Sequence, residues 1–175
     1  MHEEITINQI IIASITAACA VVLPILFHLV GLGSLFLPMF IPLAIGSFFM
    51  TPFYACFTGA IAPIASSLLT GMPPLYPPIA LLMVIELFFF CLIISVIIHH
   101  APKVNAYIIM IIAIIIDRFV LYMLYALVFP YFHISFALFS VYDLLKSIPG
   151  IILLLMIVPP AVIGLKKLMK NYSGR

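Results

Sequence analysis

Apolar residues run along this chain almost without interruption, broken only by short clusters of Pro, Gly, His and charged side chains. The runs do not alternate as barrel strands would over about ten residues; they are long and rich in Ile, Leu and Phe. Backbone groups in lipid must be bonded within their own segment, so this pattern predicts helices. A helix needs about 20 apolar residues to cross roughly 30 Å of hydrocarbon. The breaks mark six candidate crossings, at 8–28, 38–50, 53–70, 79–98, 104–128 and 140–165. The first ends near Pro24 and the Gly31/Gly33 pair, and the short second ends at Thr51-Pro52. His99-His100-Ala101-Pro102-Lys103 separates the fourth from the fifth. Ser140 to Asp143 reads as a capping box opening the sixth, with Pro149 and Pro159-Pro160 as kinks inside it. The second and third are the hardest to separate, because almost nothing polar lies between them. The expectation is an all-α polytopic protein: a six-transmembrane-helix bundle forming one domain over 1–175.

Composition sharpens that picture. The 175 residues are 67% hydrophobic and 7% charged, with a mean hydropathy of +1.42. A soluble domain carries roughly 25% charged residues, so this chain lacks the charge to cover a water-facing surface. The acidic start, MHEE, has no basic n-region, so the first apolar stretch is expected to stay as a membrane helix. Six crossings place both termini on one side. Lys166, Lys167, Lys170 and Arg175 follow the last crossing and Lys103 lies between the fourth and fifth. Positive residues collect in the cytoplasm, so both termini are expected inside, and 29–38, 71–78 and 129–140 outside. Lys146 dissents; it can snorkel to the interface or pair with Asp143. Cys19, Cys56 and Cys91 fall in separate apolar runs with no CxxC, the pattern of small packing residues.

Candidate chemistry is confined to a few charges inside the apolar runs. An ionisable residue within a membrane helix is costly and marks either function or a paired structural site. Glu86 lies seven residues into the fourth crossing, about 10 Å below the outer face at 1.5 Å per residue. Asp117 lies thirteen residues into the fifth, which enters from inside, and so reaches about the same depth. Two readings stay open for Glu86, Asp117 and Arg118: an ion pair pinning two helices, or a polar binding site beneath the outer loops. A proton relay would want further acids at other depths. Arg118 offers five fixed donors to a carboxylate or phosphate, while adjacent residues point about 100° apart, so Asp117 need not share its cavity. Pro73, Pro74, Pro77 and Pro78 stiffen the loop ahead of Glu86. Tyr76 at its tip suits either a ligand or the interfacial belt. His28 is likewise an interface anchor or a ligand contact, and His99-His100 lacks the third ligand of a metal site.

Small residues form two stripes, Ala13/Ala17/Ala20 on the first helix and Ala55/Gly59/Ala62/Ser66 on the third. Such stripes let membrane helices approach closely, within this chain or against another subunit.

Several segments carry a resemblance. LPMFIPL (37–43), SSLLTGMPPLYPP (66–78), MVIEL (83–87) and DRFVLY (117–122) resemble the substrate-binding S-components of energy-coupling factor transporters. The likeness runs from about His28 to Tyr125. It implies a small bundle that captures a vitamin or related micronutrient near the outer face of a bacterial plasma membrane. It also implies partners: a transmembrane T-component, met by Ala13, Ala17 and Ala20 on helix one, and two cytoplasmic ATPases. Substrate contacts would come from Glu86, Arg118, Asp117, Tyr76, His28, Phe40 and Tyr122. Two positions depart from the pattern: Phe40 stands where relatives often carry His, and Asp117 where they often carry Gly. No Walker A segment is present, so energy would come from partners, and neither catalysis nor a cofactor is expected. Two rivals remain: a small membrane enzyme using Glu86 and Asp117 as an acid/base pair, which lacks a nucleophile or metal cluster beside them, and a non-binding structural subunit.

Overall fold

The computed structural model describes residues 2–29, 37–74, 79–132 and 136–173, with side chains placed for 6–27, 37–74, 79–130 and 145–171. Within them the chain forms six α-helices and one 3-10 turn, with no strand. The helices are α1 (His2–Leu29), α2 (Phe40–Ser47), α3 (Pro52–Thr70), α4 (Ile79–His100), α5 (Ala106–Val128) and α6 (Phe136–Ser173); Phe129–Phe132 forms the 3-10 turn. Five are long and apolar enough to cross a membrane, and their outward faces are lined by Ile, Leu, Phe and Met. The chain is a multi-pass helical membrane protein.

Local chemistry explains the boundaries. Pro52 sits in the first turn of α3, where a missing N–H costs nothing. Gly71 ends that helix in the left-handed region at φ +72°, its N–H bonded to the Ser67 carbonyl, a cap that glycine adopts without a Cβ clash. Asn105 caps α5, its side chain accepting from the Tyr107 N–H at 3.0 Å.

Three elements differ from expectation. The first helix begins at His2, six residues before the predicted start at Asn8. The second predicted crossing, 38–50, holds only the eight-residue α2, about 12 Å long and too short to cross alone. Turns occupy Pro38–Met39 before it and Phe48–Met50 after it. The sixth helix begins at Phe136, not at 140, so the proposed capping box lies inside it. Side chains 140–143 lie outside the described residues, as does the expected Asp143 partner of Lys146.

Contacts fix the direction of each pass. Gln9 on α1 donates to the Phe49 carbonyl at 3.2 Å and accepts from the Thr51 N–H at 2.7 Å. Ser95, near the end of α4, donates to the Met50 carbonyl at 2.6 Å. Lys166, late in α6, lies 5.7 Å from the Phe48 ring centre. The start of α1, the ends of α2, α4 and α6, and the starts of α3 and α5 therefore gather at one end. The opposite end carries the 66–74 turn and the turn after α5.

The core is continuous through the end where the termini gather. Phe40, Leu43, Met50, Phe90, Ile94, Ile109, Met110, Leu154 and Val158 interlock there, with Phe40 set edge-on against Phe90 at 5.1 Å. A smaller cluster of Leu82, Leu121, Tyr125 and Phe129 lies toward the opposite end.

Candidate functional site, a buried charge triad

On α4 the buried face runs Leu82, Glu86, Phe90, Ile94, at four-residue steps. On α5 it runs Ala113, Asp117, Leu121, Tyr125 at the same step. Side chains three or four apart share one side of a helix, so each carboxylate is carried inward by the stripe it belongs to. Glu86 is 4% exposed and Asp117 2%. The charges occupy the boundary between the two apolar clusters: Leu82 and Leu121 belong to the smaller, Phe90 and Ile114 to the larger.

Arg118 joins them. Its side chain folds back along α5 so that Nε and Nη2 both donate to Asp117 Oδ2, at 3.0 and 2.7 Å. Nη2 also reaches across to Glu86 Oε1 at 2.7 Å. The guanidinium, whose side chain is 15% exposed, thus links α4 to α5. With both carboxylates ionised the triad carries two negative charges and one positive. A buried charge is tolerated when it is paired and hydrogen-bonded, and the short, charge-assisted geometry here is of the stronger kind.

The sequence-predicted residues distribute unevenly around this centre. Glu86, Asp117 and Arg118 come together, and Asp117 shares the guanidinium that its position on the helix alone did not promise. Tyr122 stands one turn beyond Arg118, on the same side of α5, and is 48% exposed. Phe40 does not join them; at 2% exposure it is core packing. Tyr76 lies outside the described residues, and His28 lies on α1 with its side chain outside them.

Ala20 is fully buried in this chain's own core, and Ala13 packs against that core while staying partly exposed. Ala17 is half-buried between them. On α3, Ala55, Gly59, Ala62 and Ser66 are buried, and a Cβ on Gly59 would strike the Leu87 carbonyl and come within 2.9 Å of Cys91 Sγ. His99 and His100 turn their Nδ1 atoms to the carbonyls of Ser95 and Val96, at 2.9 and 3.0 Å. Among the described residues no group of three metal-ligating side chains comes together, and the three cysteines are free.

Sequence reasoning missed two devices. The first is the hydroxyl clamp on the turn after α3. Ser66 and Ser67 donate to the carbonyls of Met72 and Pro73 at 2.7 and 2.8 Å, and Thr70 accepts from the Met72 N–H at 3.2 Å. The hydroxyls of SSLLTGMPP fold the chain back onto the end of α3, and their spacing was the available signal. The second is Gln9, which with Asn8 opens an otherwise apolar run and whose polarity there marked it as a tie between elements.

Compared with protein-family models, with curated proteins and with solved structures, the chain matches none.

Proposed function

We propose that this protein is a membrane-embedded capture subunit, an S-component-like module that binds a vitamin or related micronutrient from outside. The observation that carries this reading is the Glu86–Arg118–Asp117 triad. Charges inside membrane helices are rare, and they concentrate at substrate and ion pathways. Glu86 lies seven residues into α4, about 10 Å from the end of the bundle that carries the clamped 66–74 turn, and both stand in segments that resemble S-components. A ligand entering from that end would exchange hydrogen bonds with groups already held in place, which lowers the ordering cost of binding. Uptake would be powered by a T-component and two cytoplasmic ATPases in a bacterial plasma membrane. The basic end of α6, and with it both termini, would face the cytoplasm.

The test is thermal stabilisation of the purified protein by a panel of water-soluble vitamins. A ligand that binds only the folded state stabilises by about 2.7 kcal/mol at 100 times its Kd. Stabilisation by one compound, lost in Glu86→Gln, supports capture. A second reading has its own observation: Arg118 bonds both carboxylates with no ligand needed, as a structural subunit would require. No shift with any compound favours that reading.

A further inference from the structure

A lateral groove lies well away from the triad, at the end where the termini gather. Its lining is periodic. Ile12, Ile15, Thr16 and Cys19 come from α1, and Pro42, Ile45, Gly46 and Phe49 from α2 and the turn after it. Both sets follow the i, i+3, i+4, i+7 spacing of one helix face. Leu165 and Met169 of α6 complete it. The short α2 forms the floor between α1 and α6, and at Gly46 it approaches α1 so closely that a Cβ would collide with Thr16. The result is an apolar cavity of about 460 Å³, open toward the side of the bundle, where Ile15 and Met169 are exposed.

The rim of this groove is basic. Lys166 and Lys170 each follow a lining residue, Leu165 and Met169, stand one turn apart on the same side of α6, and are exposed. Lys166 leans over the Phe48 ring, next to the lining residue Phe49. The acids of the first turn of α1, Glu3 and Glu4, end eight residues before Ile12, about 12 Å further along the helix axis.

An apolar slot inside the membrane span, bordered by cations at its terminal end, has the charge and polarity of a phospholipid with an anionic headgroup. We propose that this groove seats one acyl chain of an anionic phospholipid, with Lys166 and Lys170 holding its phosphate. The distance from Ile12 to Cys19, about 10 Å along α1, gives the chain a bounded seat. Lysines near a membrane surface each favour anionic lipid by about 1 kcal/mol, a factor of about five.

The chain contains no tryptophan, so one introduced residue reports alone. Cys19→Trp places the fluorophore at the groove, and Phe119→Trp places it on the exposed side of α5 as a control. Each is reconstituted in vesicles containing acyl-brominated phosphatidylglycerol or phosphatidylcholine at equal mole fraction, and quenching gives the relative affinity. The proposal expects at least about fivefold preference for phosphatidylglycerol at Cys19→Trp. It expects no preference at Phe119→Trp, and loss of the preference in the Lys166→Gln/Lys170→Gln background. Excess inorganic phosphate should leave the quenching unchanged. Equal quenching by both lipids, the same preference at both reporters, or preference surviving the lysine changes overturns it. Displacement by inorganic phosphate reduces the lysines to a free-anion patch and also overturns it. Absence of quenching by either lipid means that protein covers the groove, and the proposal fails.

Discussion

Replacing Arg118 by Met keeps the apolar stem and removes the guanidinium that ties α4 to α5. Glu86 and Asp117, at 4% and 2% exposure, then lose the guanidinium that they share. Removing one partner of a buried ion pair costs about 3–5 kcal/mol, and here the loss includes three hydrogen bonds to one side chain. Glu86→Gln is gentler. It removes one charge-assisted bond, about 1.5–3 kcal/mol, and leaves Asp117 and Arg118 as a neutral pair. Replacing all three charges together, Glu86→Met/Asp117→Leu/Arg118→Met, leaves no uncompensated charge, and such replacements are often close to neutral. The expected order of cost is therefore Arg118→Met largest, Glu86→Gln intermediate and the triple variant smallest. Unfolding by sodium dodecyl sulfate, followed by far-ultraviolet circular dichroism in mixed micelles, measures all three. The reasoning fails if Arg118→Met costs no more than Glu86→Gln, or if the triple variant is the least stable.

Gly59→Ala should lower stability in the same titration by about 1–3 kcal/mol, because the added methyl strikes backbone of α4 that cannot swing aside; an unchanged midpoint would mean the helices are not so close. Gly71→Ala has room for its methyl but not the backbone angle. It should cost about 1–2 kcal/mol, with Gly71→Asn milder, and equal stability of all three would remove the left-handed cap. Leu75→Cys, in a background lacking the three native cysteines, should react with an impermeant thiol reagent on intact cells; reaction only after lysis would reverse the proposed orientation.

The helices bounded by backbone chemistry were legible, and those bounded by tertiary packing were not. Thr51-Pro52, Gly71 and Pro102 stop or start a helix whatever surrounds them, and α3, α4 and α5 end within two residues of where these breaks put them. The 38–50 segment ends at the same Thr51-Pro52 break, but its prolines and glycine (Pro38, Pro42 and Gly46) do not say how much of it is helical. Its apolar character suits either a crossing or a short buried helix, and its packing in the core against α1 and α4 selects the short helix. The pairing of Glu86 with Arg118 could be anticipated because rise per residue on antiparallel helices is simple arithmetic. Asp117's share of the guanidinium could not, because a long arginine side chain bends back past the 100° between neighbours. On the alanine stripe the structure seats Ala20 in this chain's own core and leaves Ala13 and Ala17 partly exposed. Spacing says which residues share a face, and only packing says which neighbour fills it. Phe40 entered the candidate set through the resemblance and is core for a reason of its own, an edge-on contact with Phe90.

The central claim is that the triad holds a small molecule. Protein purified from its native membrane, washed and then denatured, should release one compound at near-stoichiometric yield in untargeted mass spectrometry. That compound should be absent from an equally folded Glu86→Gln preparation. Release of no compound from wild-type protein, or of the same compound in the same yield from Glu86→Gln, would contradict the claim and leave the triad as a structural tie between α4 and α5.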